Sequence, residues 1–168
     1  MRLPEGVGLR PASAADMPLL HRVYCSTRQD ELLALDWPVP AKDAFLQQQF
    51  ALQHRYYHAH FPDAQFCIIQ CEGRDIGRWY LDGAGAELRL IDIALLPDWR
   101  QRGIGSQLLR CLVEEADACG RDILLHVAAN NPALGMYVRL GFEPLSNDGL
   151  YVMLRRRPQA APGMEACR

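Results

Sequence analysis

Between Pro97 and Leu108 the chain reads Asp98-Trp99-Arg100-Gln101-Arg102-Gly103-Ile104-Gly105-Ser106-Gln107, a basic turn that links an apolar run to an amphipathic one. A strand passing through such a turn directly into a helix aims several unpaired backbone amides at one point, which makes an anion site. Glycines allow positive φ and close approach of a ligand, the helix dipole adds about half a positive charge, and Arg100 and Arg102 supply full charges nearby. A diphosphate matches that arrangement.

Two other phosphate loops do not fit. The P-loop needs a lysine directly after its last glycine, whereas Gly105 is followed by Ser106-Gln107. The dinucleotide fingerprint needs a third glycine where Leu108 stands, and it usually lies in the first strand–helix unit of a chain.

Three further side chains could move protons: Glu87 and Asp92 on the apolar run before the turn, and His126 on the next strand-like run. Strict alternation puts Glu87 with Arg89, Ile91 and Ile93, and Asp92 with Leu88, Leu90 and Ala94. An ionised carboxylate on that second face is costly without partners, and an apolar setting raises its pKa. Glu87 reads equally as a solvated strand end, and His126 as a satisfied histidine beside the core.

The elements that must position these groups follow from periodicity and punctuation. Val7–Arg10 reads as a strand, then Ser13 or Asp16 caps a helix over Met17–Cys25. After the turn-like Asp36-Trp37-Pro38-Val39-Pro40, a second helix is predicted over Lys42–His60. Gln65–Glu72 and Ile76–Leu81 form a hairpin about Gly73, and Glu87–Leu96 reads as a long strand near the centre of a sheet. Ile104–Cys119 is a helix with Leu108, Leu112 and Ala116 on one stripe, ended by Gly120. Ile123–Val127, a helix over Ala133–Leu140 and a last strand over Leu150–Arg155 complete the order. It suits an α/β (α+β) fold, a mixed and mostly antiparallel sheet of six to seven strands with helices on both faces.

With 168 residues, 49% hydrophobic and 23% charged, the chain has the size and composition of one globular domain. That domain is expected over 1–158, with 159–168 an unstructured tail. A net charge of −2 gives no nucleic-acid footprint, and Arg155, Arg156 and Arg157 read as a solvated strand end. No apolar run approaches the ~20 residues that span a bilayer, and no signal peptide is visible, so a cytoplasmic protein without membrane contact is expected. The six cysteines are expected to be reduced; neither Cys67 and Cys71 nor Cys111 and Cys119 have zinc-site spacing, so no metal is expected.

The run from Ile91 to Gly105 resembles the acyl-CoA signature of the GNAT superfamily, R/Q-x-x-G-x-G/A after a strand, with Arg100, Gly103 and Gly105 in place. Asn130-Asn131-Pro132-Ala133-Leu134-Gly135-Met136-Tyr137-Val138-Arg139-Leu140-Gly141-Phe142 is similar to the family's N-x-x-A-x-x-x-Y-x-x-x-G-F element. The resemblance runs from Val7 to Arg155 and is carried by Glu87 to Phe142; the N-terminal half matches in layout alone.

The resemblance implies an N-acetyltransferase with acetyl-CoA as acyl donor and no metal. A primary amine of a small molecule, peptide or protein would attack the thioester directly in a ternary complex. It implies that the backbone at Ile93, Ala94 and Leu95 pairs with the pantetheine arm. The amides of Gln101, Arg102, Gly103, Ile104, Gly105 and Ser106 would cradle the pyrophosphate, with Arg100 and Arg102 reaching phosphate oxygens. Asn130 or Asn131, with Ala133, would contact the pantetheine, although either asparagine could instead cap the helix at Pro132. Tyr137 would protonate the departing thiolate, since a phenol of pKa ~10 can donate to a thiolate of pKa ~8.5.

The group that deprotonates the amine stays open among Glu87, Asp92, His126 and a water chain. Trp37, Phe45, Gln49, Tyr56, Tyr57, His58 and His60 are candidates for an acceptor pocket, Asp30 and Glu31 for attracting a cation, and Tyr151 and Met153 for a homodimer contact. The competing readings are an acyl-CoA-binding module without catalysis, and a transferase for another acyl group or a hydroxyl acceptor.

Overall fold

A computed structural model describes residues 1–159. The expected tail lies outside the described residues from 160 onward, as does Cys167. Along the chain come β1 (Val7–Pro11), α1 (Met17–Leu33), α2 (Val39–His60), β2 (Gln65–Cys71), β3 (Arg74–Asp82), β4 (Leu88–Leu95), α3 (Ile104–Cys119), β5 (Ile123–Ala128), α4 (Leu134–Arg139), β6 (Glu143–Asn147) and β7 (Tyr151–Arg156). The strands form one seven-stranded sheet in the order β1-β2-β3-β4-β5-β7-β6. β4 and β5 pair in parallel and every other neighbouring pair is antiparallel. This is the mixed, mostly antiparallel α/β arrangement expected, with β4 in the middle of the sheet.

Two apolar layers sandwich the sheet. On one face Leu108, Leu112 and Ala116 of α3 pack with Leu88, Leu90, Ile123 and Leu125, and α4 adds Tyr137. On the other, Leu20 and Val23 of α1 and Phe50 of α2 pack with Ile68, Tyr80 and Ala94. Fully burying each large side chain stabilises the fold by roughly 1.5–3 kcal/mol.

Several elements differ from expectation. α1 continues to Leu33 and α2 begins at Val39. Pro40 is accommodated because the first helical turn has no intrahelical use for its missing N–H. Ser13 and Asp16 both act at the start of α1: the Ser13 N–H donates to Asp16 Oδ2 at 2.7 Å, and a 3-10 turn over Ala14–Asp16 precedes the helix. β6 was not anticipated, because Glu-Pro-Leu-Ser-Asn has a proline and no apolar alternation; it is an edge strand, where proline is tolerated. Arg156 is no solvated end: it is 3% exposed and forks onto Asp117 at 2.6 and 2.9 Å.

The central strand carries the largest correction. Tyr80 of β3 pairs with Asp92 and Leu81 with Leu90, so Ile91 is an extra residue, a β-bulge. Alternation therefore breaks at Ile91. Leu88 and Leu90 face α3, whereas Ala94 faces α1 and α2. Asp92 bonds Tyr57 of α2 and so sits opposite Leu88 and Leu90, not beside them. Beyond Leu90 and Leu125 the parallel β4–β5 pairing stops and the strands splay.

Candidate active site

The splay leaves a wedge of about 140 Å³ whose walls include Ile91, Asp92 and Ile93 of β4 and His126, Val127 and Ala128 of β5. From Asp92 to Leu95 the ladder pairs β4 with β3 on one side, while on the β5 side it stops at Leu90. A ligand with its own amides can be added there as a strand would be.

At the far end of β4 the chain enters α3 through the glycine turn. Gln101 (φ 59°) and Gly103 (φ 80°) are both left-handed. The first helical bond is that of the Gln107 N–H to the Gly103 carbonyl at 2.9 Å. The N–H groups of Gln101 through Ser106 have no partner among the described residues. Gly105 lies against Ile93 and Leu95, so these amides adjoin the exposed part of β4.

The two arginines of the turn behave differently from each other. Arg100 Nε donates to the Leu95 carbonyl at 2.8 Å and an Nη to Ser26 Oγ at 2.6 Å. Its guanidinium therefore ties the turn to β4 and α1, and the Leu95 carbonyl is already engaged by the chain itself. Arg102 is exposed and stacks over Trp99 at 4.9 Å.

Tyr137 of α4 lines the wedge from the α3 face and is 4% exposed. Its ring meets Phe142 edge-on at 5.6 Å, and its hydroxyl makes no hydrogen bond among the described residues. Burial, with a smaller contribution from the negative charge of Asp92, pushes the phenol up to about 12. Asn131 also lines the wedge, but its Oδ1 accepts the Ala133 N–H at 2.8 Å and so caps the turn before α4. Asn130 is exposed and does not line the wedge.

Asp92 has the partners the sequence did not reveal. Arg78 of β3, 3% exposed, donates to Asp92 Oδ2 at 2.6 Å and to Gln53 Oε1 at 3.0 Å. Tyr57 donates to the same Oδ2 at 3.4 Å. Asp92 Oδ1 accepts nothing among the described residues. The expectation of a carboxylate isolated in an apolar setting is thus replaced by a buried ion pair. Burial, next to the Asp92 charge, pushes the Tyr57 phenol well above its ordinary value.

On the α1–α2 face those helices leave the β5–β7–β6 half of the sheet uncovered, and a cleft of about 550 Å³ opens there. It meets the wedge at Tyr57, Leu90, Ile91 and His126, which line both. Of the aromatic candidates, Tyr56 and Tyr57 reach the cleft. Trp37 packs against Phe45 and His58 against Phe66, none of them among the cleft residues. Tyr151 and Met153, the candidates for a homodimer contact, line the cleft. Glu87 precedes β4, is exposed, and lines neither cavity. Glu31 pairs with Arg28 at 2.8 Å and, like Asp30, lies outside the cleft.

Sequence reasoning missed Arg78, Phe61, Arg89, Ser146 and Asp148 as lining or supporting residues. The one available signal was an arginine inside the apolar run Ile76-Gly77-Arg78-Trp79-Tyr80.

The whole fold is shared with acetyltransferases of known structure. The PaiA N-acetyltransferase of Thermoplasma acidophilum, solved with coenzyme A, aligns with a TM-score of 0.66 at 17% identity over 90% of this chain and 98% of that one. A Corynebacterium glutamicum protein described as histone acetyltransferase HPA2 and related acetyltransferase aligns at 0.63, with 23% identity over 94% and 99%. In sequence, the cysteine-rich protein 2-binding proteins of mouse and human are 38% identical over 47 residues, 28% of this chain. The match covers 6% of those relatives, so the chain spans only a small part of their length. The model of the GNAT acetyltransferase domain matches residues 62–144, from the end of α2 into β6. With both signature elements seated at the wedge, the chain belongs to the GNAT acetyltransferase superfamily.

Proposed function

We propose that a single domain over residues 1–158 transfers an acetyl group from acetyl-CoA to a primary amine by direct attack in a ternary complex. The observation that carries this reading is the run of unpartnered amides from Gln101 to Ser106, adjoining an unpaired strand segment. A diphosphate joined to an amide-bearing arm fits that pair of features. Gln101, Arg102, Gly103, Ile104, Gly105 and Ser106 hold the diphosphate through their N–H groups, with Arg102 as the free cation beside them. Ile93 and Ala94 hold the arm through their backbone, with Asn131 and Ala133 across the wedge. Arg100 positions the turn.

The thioester then lies where wedge and cleft meet, at the Ile91 bulge. β4 amides there polarise the carbonyl oxygen as it becomes negative. Asp92, held by Arg78 and Tyr57, presents Oδ1 to the incoming ammonium. His126 on the opposite wall takes its proton, a task suited to an imidazole. Tyr137, kept protonated by burial, donates to the departing thiolate from the other face as the C–S bond breaks, and the second proton shed by the attacking nitrogen restores the phenol.

The test is the melting temperature with and without acetyl-CoA. Ligand at a hundredfold over its Kd stabilises by about 2.7 kcal/mol, a rise of roughly 5–11 °C for a chain of this size. Gly103→Trp fills the cradle and is expected to abolish the rise. An unshifted native protein refutes the cofactor site, and a shift without thiol release over a panel of primary amines refutes transfer to an amine.

A further inference from the structure

Arginines with restricted exposure in this protein are partnered. Arg10, Arg78 and Arg156 each hold a carboxylate at 2.6 Å, Arg28 holds Glu31 at 2.8 Å, and Arg155 faces Asp122 at 3.9 Å. Arg121 donates to four backbone carbonyls. Arg89 of β4 is the exception. It is half-buried in the cleft and has neither an ion pair nor a side-chain hydrogen bond among the described residues.

Two carboxylates on neighbouring elements hold backbone N–H groups and not the Arg89 fork. Asp82 lies directly across the ladder from Arg89, but its Oδ1 accepts the Ala84 N–H at 3.0 Å. Asp148 lines the same cleft, but its Oδ1 accepts the N–H groups of Leu150 and Tyr151 at 2.9 and 2.7 Å. A guanidinium partly withdrawn from water, with its planar fork unfilled, is matched to a carboxylate brought by a ligand.

The cleft also has a direction. Arg89 precedes Ile91 by two residues, roughly 7 Å of strand, and Asp92, the next residue after Ile91, lines the adjoining wedge. One wall therefore offers a cation and then an anion. Between and around them stand Tyr56, Tyr57, Phe61, Tyr151 and Met153, an aromatic and thioether lining. A volume of about 550 Å³ is in the range of small-molecule sites.

We infer that the acceptor is a zwitterionic amino acid with a bulky apolar or aromatic body, its carboxylate held by Arg89 and its amine delivered toward Asp92. This rests on the acetyl-transfer reading of the same site. Arg89 is then a specificity-determining residue, and an amine lacking the carboxylate leaves its fork unfilled.

The experiment has a binding arm and a turnover arm. N-acetyl-phenylalanine and its amide, which differ in the carboxylate alone, are titrated calorimetrically against the native protein, with and without coenzyme A. The acid is expected to bind about 10- to 100-fold tighter than the amide, the worth of a charge-assisted pair. Arg89→Gln should collapse that ratio, and Arg89→Lys, which keeps charge without the fork, should retain part of it. Equal binding of acid and amide by the native protein, or binding of neither, overturns the inference without recourse to any variant. In the turnover arm, thiol release from acetyl-CoA is followed with phenylalanine and phenylalanine amide. Equal rates for the two uphold transfer and sink the carboxylate site. Discrimination in binding with no thiol release from either amine upholds the site and sinks transfer.

Discussion

Asp92→Asn removes the carboxylate that neutralises the Arg78 guanidinium, and its consequence can be worked through from the surroundings. Arg78 is 3% exposed, and its Nε has no partner among the described residues. Once the charge at 2.6 Å is gone, the cation keeps a neutral contact with Gln53 at 3.0 Å and the Tyr80 ring at 5.5 Å. Breaking one side of a buried pair costs about 3–5 kcal/mol, and the asparagine oxygen can still accept one bond, so a loss near 3 kcal/mol is expected. For a chain of this length that lowers Tm by about 6–12 °C. Arg78→Met takes away the buried cation and leaves Asp92, 15% exposed, beside an open wedge. The double variant Arg78→Met/Asp92→Asn should therefore be more stable than the two single losses sum to, by about 2 kcal/mol or more. Urea unfolding of the four proteins at pH 7 reads all of these quantities. An Asp92→Asn protein within about 1 kcal/mol of the native one, or strict additivity in the cycle, would refute the dependence of Arg78 on Asp92.

Other perturbations probe separate parts of the molecule. Tyr137→Phe should leave stability within about 0.5 kcal/mol, because the hydroxyl has no partner to lose, and lower kcat by about 10²- to 10⁴-fold with the acetyl-CoA melting shift intact; an unchanged kcat rejects the acid role. A Cβ at Gly77 would meet the Ala94 carbonyl oxygen and a Leu95 methyl at 2.9 Å, so Gly77→Ala should destabilise by about 1–3 kcal/mol or more, measured in urea. Arg10 hydrogen-bonds Asp16 and Asp75 and holds both carboxyls below their usual value of 3.8. Depressed native pKa values give stability that is present above the unfolded value and is lost as pH falls toward the native one. The stability gap between native protein and Arg10→Gln should accordingly be widest at neutral pH and shrink progressively below about pH 4. A gap that stays constant through that window in urea titrations contradicts the assignment.

What the sequence determined by itself was local. Arg100 to Ser106 is one strand–turn–helix unit, so its amide cradle follows from backbone conformation within a few residues, and Gly103 at φ 80° marks it. The α3 stripe of Leu108, Leu112 and Ala116, each at most 1% exposed, follows from helical period alone. Tyr137 and Asn131 were legible for the same reason, because one short helix and its cap carry both. The tertiary structure decided the rest. Asp92 meets Arg78 across 14 residues and Tyr57 across 35, contacts no periodicity encodes. The Ile91 bulge arises from the register of β4 against β3, and that one extra residue reverses which face Asp92 takes. Arg100 ties the turn to α1 because that helix, far away in sequence, brings Ser26 to it. Arg89 stands out as unpartnered among the described residues only once the fold shows which side chains reach each arginine. Short-range geometry is set by residue type and spacing; pairing across a sheet depends on register, and register is settled by the whole core.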